Sequence, residues 1–345
     1  MRIMVATAQV PFVHGGAESH AEGLRRALES HGHQADVVTL PFWREPPAEL
    51  EHVMDAWARV RPRNWWIAPD RVVALKFPAY LCDHPDVRIW LLHQYREAYD
   101  QLDAPRYGRE APFRAVTDRV RAVDREVLGR AAREGRLVTN SGNVSKRLAR
   151  DSGIDAPPLY HPPPSATEIW SSEAQPVIFA PSRLESLKRQ GLLIEAFAHV
   201  RSPVCAVITG DGTMRADYER RIAELGLGSR VRLLGNVPRE EMLAWYAHAL
   251  AVWFAPFDED YGYVTLEAML AAKPVITCTD SGGPLEFVDD GVTGLVREPD
   301  PRALAGAIDS LWADRARAAR MGAAGLESYR ARGIGWDRVV ETLAC

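Results

Sequence analysis

Cysteine is scarce in these 345 residues: the four present, Cys82, Cys205, Cys278 and Cys345, lie far apart and form no C-x-x-C pair. Neither a disulfide framework nor a zinc knuckle is expected, and a reducing cytoplasm fits such usage best. Long apolar runs are missing as well. Nowhere do about 18 apolar residues follow one another, as a spanning helix needs, and the opening MRIMVATAQVPFVHGG holds too short an apolar stretch for a signal peptide. Any membrane contact would be peripheral, at the inner face. Basic excess is absent: the net charge is -4 and the pI about 6.2, whereas a general nucleic-acid binder needs cations to meet phosphates. The dinucleotide fingerprint G-x-G-x-x-G is absent too, since Gly15-Gly16 runs into AESHAEG and Asp36 alone is weak as a ribose acid. A nicotinamide enzyme is therefore not expected. Heptads, low-complexity tracts and repeats of a few tens of residues do not occur.

What is present is an ordinary globular composition, 47% hydrophobic and 26% charged, in a chain long enough for two domains. Short Val- and Ile-rich runs alternate with amphipathic segments, the rhythm of parallel strands joined by crossover helices. The first series reads as a strand over Arg2–Ala6, a loop PFVHGG, a helix from Ala17 to Ser30 and strands at Ala35–Leu40, Arg71–Leu75, Arg88–Leu92 and Leu137–Thr139, with a long helix over Pro112–Arg133. A proline-rich stretch, DAPPLYHPPPSATEIWSSEAQP, then marks a linker. The second series places strands at Val177–Ala180, Val204–Thr209, Val231–Leu234, Ala251–Phe254 and Pro274–Thr277. The expected architecture is α/β, with two doubly wound domains facing a central cleft. Residues 1–165 form the first, residues 166–333 the second, and a C-terminal helix over about 334–345 packs back on the first.

Ligands of open α/β sheets bind at the carboxyl ends of strands, so those ends hold the candidate residues. His14, Gly15 and Gly16 stand between the first strand and helix, where backbone amides can receive an anion. His93 ends the run RIWLLHQ. Arg183 and Lys188 in FAPSRLESLKRQG follow the first strand of the second series, a planar fork and a point charge suited to a diphosphate. ITGDG and LLGNV run from strand into glycine turn. In FDEDYGYVTLEAM, Asp258-Glu259-Asp260 reads either as a metal-diphosphate clamp or as acids serving the dipole of the helix YVTLEAMLAAK. Glu267, between Leu266 and Ala268, is either paired internally or aimed at a ligand's hydroxyls.

The run EDYGYVTLEAM, followed by AAKPVI and SGGPLEFVDDGVTGLV, resembles the donor-site signature of the retaining nucleotide-sugar glycosyltransferases of family 4. SRLESLK, ITGDG and LLGNV extend the resemblance over the whole second domain, while HGGAE, WLLHQYR and VTNSGNVSKRL carry a looser one in the first. The resemblance implies the GT-B fold of two Rossmann-like domains, the first for the acceptor and the second for the donor. It implies that Glu267 holds the ribose hydroxyls, and that Glu259 with the backbone of Asp260, Tyr261, Gly262 and Tyr263 holds the sugar. Arg183 and Lys188 would bind the diphosphate, with Gly15 and Gly16 closing on it, and Gly235, Asn236 and Val237 would lie against the base. His93 would stand near the reacting centre. The expected reaction is retaining transfer of a hexosyl group from a UDP-, GDP- or ADP-sugar to a hydroxyl of a glycan, a lipid-linked saccharide or a small natural product. No protein nucleophile, metal or further cofactor is required, because the cations already face the diphosphate. An epimerase or phosphorylase on the same fold, or a non-catalytic donor-binding subunit, is the alternative. In SYRARGIGWDRVVETL, Trp336 is the expected packing anchor, and Tyr261, Tyr263 and Ala272 depart from the commoner family pattern. For the acceptor, Phe42-Trp43 and Trp65-Trp66 stand near Arg44, Arg61 and Arg63 in the sequence, as either a membrane-surface contact or core aromatics.

Overall fold

The computed structural model describes residues 1–13, 15–43, 45, 47–102 and 111–345. His14 and Arg44 lie outside the described residues. The chain separates into two units, Met1–Pro164 with Gly335–Cys345, and Ser165–Ile334.

The first unit runs β1 (Arg2–Gln9), α1 (Gly16–Ser30), β2 (Gln34–Pro41), α2 (Pro47–Ala58), β3 (Arg71–Ala74), β4 (Val87–Leu91), α3 (Ala111–Arg133), β5 (Leu137–Thr139) and α4 (Gly142–Ser152). All strands pair in parallel in the order β2-β1-β3-β4-β5. Strands of such a sheet are covered on both faces, which is why β3 reads Arg-Val-Val-Ala with all four residues buried. Helix α4 starts where Ser141 Oγ accepts the Val144 amide at 3.1 Å and stops at Gly153 in the left-handed region.

A final helix of this unit, α11 (Trp336–Ala344), packs on α1. Its face is set by Trp336, whose ring lies edge-on to Trp90 at 6.4 Å. Gly23 makes room for it: a Cβ there would stand 2.7 Å from the indole. Arg71 and Arg88 then donate to the carbonyls of Leu343 and Thr342, each at 3.0 Å, satisfying acceptors that the last turn of a helix leaves open. Next to Trp90 is a buried pair of histidines, His20 from α1 and His161 from the proline-rich segment, with His20 Nδ1 2.8 Å from His161 Nε2. Burial, with the Lys76 charge second, lowers His20 from 6.5 to about 3; burial, with His20 second, pushes His161 well below the usual imidazole range.

The second unit runs β6 (Val177–Pro181), α5 (Gln190–Phe197), β7 (Cys205–Thr209), α6 (Arg215–Glu224), β8 (Val231–Gly235), α7 (Arg239–His248), β9 (Ala251–Trp253), α8 (Tyr263–Leu270), β10 (Val275–Cys278), β11 (Gly294–Arg297), α9 (Pro301–Ala313) and α10 (Arg315–Ala331). Its parallel sheet has the order β11-β10-β9-β6-β7-β8. Each unit is thus a Rossmann-like doubly wound sheet, as the alternation of the sequence predicts. Two details differ from that reading. Strand β11 is an additional edge strand, because Gly-Leu-Val-Arg is too short to show a period of two. Helix α8 ends at Leu270, not at Lys273, since Pro274 disfavours helical backbone at the residue before it and Ala272 turns the chain at φ 52.

Two measurements test this packing. Gly23→Ala is expected to destabilise the protein by about 1–3 kcal/mol through overpacking against Trp336, read from denaturant unfolding. The lowered histidines mean that the unfolded chain binds more protons than the folded one below about pH 6.5, so stability is lost as pH falls from there towards about 3. Unfolding midpoints should drop between about pH 7 and pH 5, and His20→Gln should flatten that slope.

Candidate functional site

In the second unit the strand order reverses between β6 and β9, the switch point at which doubly wound sheets open a crevice for ligands. Lys188 closes a short turn after β6, and Glu259 lies in the loop after β9. Their ammonium and carboxylate are paired, and the Lys188 Nζ also stands 5.7 Å over the Phe254 ring. The sequence reading gives the two residues separate tasks, diphosphate and sugar; in the structure they hold each other. Arg183 is exposed, and among the described residues no ion pair involves it.

Arg189, which the sequence reading passes over, organises this end of the sheet. Its backbone sits at φ 53, and its guanidinium forks onto both Asp280 oxygens at 2.8 and 2.6 Å while donating to the carbonyls of Ala255 and Pro256. One side chain thereby ties the loops that follow β6, β9 and β10. The loop after β9 is further stitched to the loop after β10: the amides of Asp258 and Glu259 donate to the carbonyls of Asp280 and Ser281, and Gly283 donates back to Glu259. Gly283 allows the approach, because a Cβ there would lie 2.6 Å from the Tyr261 carbonyl oxygen. Among the described residues, no group of three or more His, Cys, Asp or Glu is arranged to hold a metal ion.

Glu267 lies one turn into α8. Its Oε1 accepts the Ser165 hydroxyl and its Oε2 the Tyr246 hydroxyl, both at 2.6 Å. Internal pairing, one of the two readings of Glu267, is therefore found. It does not exhaust the carboxylate, whose oxygens carry about four lone-pair sites between them. Burial and the neighbouring carboxylate push the phenols of Tyr246 and Tyr263 well above their usual range, so both remain protonated at neutral pH and Tyr246 stays a donor. Ser165 and Tyr246 were missed by the sequence reading because only tertiary packing brings them to Glu267, across 102 and 21 positions.

Tyr261 is buried, with Tyr263 and Phe287 edge-on at 5.8 and 5.7 Å, so its ring shapes the loop from beneath. Gly262 precedes α8, at whose start the peptide amides point outward. Gly235 ends β8, its carbonyl accepting the Gly210 amide at 2.8 Å; Asn236 beyond it is exposed and Val237 half-buried.

In the first unit, Gly15 donates its amide to Glu18 Oε2 at 2.8 Å and so caps its own helix, and Gly16 is that helix's first residue. This differs from an amide left open for an anion. His93 follows β4 and is half-buried, with Nδ1 2.7 Å from the Gln94 carbonyl; that contact requires a proton on Nδ1. The aromatics separate. Phe42 packs on the core near Tyr95, whereas Trp43, Trp65 and Trp66 are exposed, Trp66 completely. Trp43 follows β2 at the carboxyl end of the sheet, but Trp65 and Trp66 precede β3 at the opposite end, where Asp70 bonds the Arg2 carbonyl and Arg63 pairs with Asp83. They form neither a buried core group nor one patch.

The family described as Glycosyl transferases group 1 matches residues 167–328, nearly the whole of the second unit. A D-inositol 3-phosphate glycosyltransferase of Nocardia farcinica is 29% identical, over 61% of this chain and only 52% of that protein. A GDP-mannose-dependent alpha-(1-6)-phosphatidylinositol monomannoside mannosyltransferase of Mycobacterium tuberculosis is also 29% identical, over 99% of this chain and 97% of its own. Among solved structures, HepE of Anabaena in complex with UDP and glucose superposes with a TM-score of 0.71 at 20% identity, covering 100% and 99% of the two chains. Sucrose-phosphate synthase of Thermosynechococcus elongatus gives 0.72 at 19%, covering 100% and 98%. The second unit carries the group 1 match, and with its two Rossmann-like units the chain is similar over its length to nucleotide-sugar glycosyltransferases of the GT-B fold.

Proposed function

We propose that this protein transfers a hexosyl group from a nucleoside diphosphate sugar to a hydroxyl acceptor with retention at the anomeric carbon, using residues 1–165 for the acceptor and 166–333 for the donor. One observation carries the reading: the Lys188–Glu259 pair stands at the switch point of a sheet whose next helix bears Glu267 braced on both oxygens. In that reading Glu267 accepts the ribose hydroxyls through its remaining lone pairs. Glu259 accepts hydroxyls of the sugar, and the backbone of Asp260, Tyr261, Gly262 and Tyr263 lines the same pocket. Asn236 and Val237 meet the base through backbone groups, while Gly235 shapes their turn.

The chemistry follows from charge. Cleaving the bond between sugar and diphosphate places negative charge on the leaving group, and cations drawn onto the diphosphate when the donor binds stabilise that charge as it develops. Arg183 is exposed and Lys188 has a carboxylate neighbour, so the diphosphate recruits the first from solvent and draws the second from Glu259. Freed of its cation, Glu259 can turn its lone pairs to the sugar. The departing diphosphate takes the acceptor's proton on the same face, so no protein nucleophile is assigned. Gly15, Gly16 and His93 belong to the other unit, and their part rests on the resemblance alone.

The relatives' names favour transfer over the epimerase and phosphorylase alternatives and make GDP-mannose the first donor to try, with UDP-glucose, bound in a structure of HepE, the second. Loss of one charge-assisted hydrogen bond costs about 1.5–3 kcal/mol. Arg183→Ala and Lys188→Ala should therefore each lower turnover about ten- to a hundredfold or more with the fold intact. The test is release of nucleoside diphosphate from a panel of UDP-, GDP- and ADP-sugars, followed by the same assay on the variants. A chain that neither binds nor turns over any donor, or variants as fast as the wild type, would overturn the reading.

A further inference from the structure

The opposite end of the second unit's sheet holds a cavity of about 590 Å³, distinct from the strand ends that carry Lys188 and Glu259. Leu250 and Pro274, the residues just before β9 and β10, line it together with Ser171–Ala174 and residues of the first turns of α10. Three features of this cavity point to a ligand.

First, Lys273 lines it, 96% buried, with its Nζ donating to the Ser172 carbonyl at 2.7 Å. Among the described residues no carboxylate pairs with it, and burial alone lowers it to about 8. A desolvated ammonium has three donors, and one neutral acceptor is poor compensation for taking the charge out of water. Second, Arg315 lines the same cavity and is exposed, its guanidinium 5.0 Å over the Trp312 ring and, among the described residues, without a carboxylate partner. The carboxylate in the lining is that of exposed Glu173, which leaves a net positive charge. Third, the remaining wall is small and apolar, Ala174, Ala316, Ala319 and Ala323 among it, leaving width for a flat or aliphatic body.

We propose that this cavity is a second ligand site, which takes a small amphiphilic anion: a phosphate or carboxylate group held by Lys273 and Arg315, and an apolar body lying along the alanine wall. The cavity communicates with α8. Lys273 follows that helix by three residues, and α10 presses on the connecting turn so closely that a Cβ on Gly322 would stand 2.0 Å from the Ala272 carbonyl oxygen. An occupant anchored on Lys273 therefore bears on the helix that holds Glu267.

Phenyl phosphate is the probe, titrated calorimetrically into the full-length protein with and without saturating GDP or UDP. Saturable binding that persists with either nucleotide present is expected. Exposed Arg315→Gln and Ala319→Trp, which remove the outer cation and fill the wall, should each weaken it about tenfold or more. Lys273→Met should do the same, and the two surface variants keep the test valid if Lys273→Met fails to fold. Phenol and inorganic phosphate, each carrying half of the probe, should bind more weakly than phenyl phosphate. No saturable binding at about 1 mM, binding displaced by GDP or UDP, or affinity unchanged in both surface variants would overturn the proposal. None of these readouts depends on turnover, so the outcome stands apart from that of the transfer assay.

Discussion

The guanidinium of Arg189 is the fastening on which the site depends. Carboxyl ends of parallel strands present unpaired backbone carbonyls, and the loops that leave them would otherwise be free to splay. Arg189 answers the carbonyls of Ala255 and Pro256 and forks onto Asp280, so loops after three different strands share one planar, five-donor group. Its left-handed backbone is the cost of turning the chain from the β6 loop into α5 with that side chain pointing back across the sheet. The ladder from Asp258 and Glu259 to Asp280 and Ser281 builds on this, and Glu259 in turn holds Lys188. The bracing sets the loop backbone in place beforehand, so the groups it presents spend little on reorganising, whereas Lys188 starts from a pair with Glu259 and Arg183 from solvent.

Glu267 is fixed in another way. Both of its oxygens accept from hydroxyls that cannot lose their protons at neutral pH, Tyr246 above all, so the carboxylate is oriented without being neutralised. A lysine or arginine in the same place would hold it more tightly and compete with any ligand for its charge. Hydroxyl partners suit an acceptor that has to meet a neutral, polyhydroxylated group.

The strands were legible because each is a short apolar run at the spacing that crossover helices impose: Val177, Ile178, Phe179 and Ala180 are all buried on a two-sided sheet. Position at strand ends likewise marked Lys188, Glu259 and Glu267 as candidates before any geometry. Their partners were not legible. The Lys188–Glu259 contact spans 71 positions and the Ser165–Glu267 contact 102, distances at which local periodicity carries no information. Arg189 was overlooked beside Lys188 because two adjacent cations look alike in a string, although one faces the crevice and the other braces it. Trp65 and Trp66 show the converse limit: neighbours of Trp43 in composition, they are carried by α2 to the other end of the sheet.

The central claim is that Glu267 reads ribose. Its most direct test is a double-mutant cycle between protein and ligand: GDP and 2′,3′-dideoxy-GDP, or the uridine pair if that base binds better, titrated against the wild type and Glu267→Ala. The wild type should prefer the full ribose by about tenfold or more, and the variant should bind both nucleotides alike. An undiminished preference in the variant would contradict the claim, because the hydroxyls would then be held elsewhere.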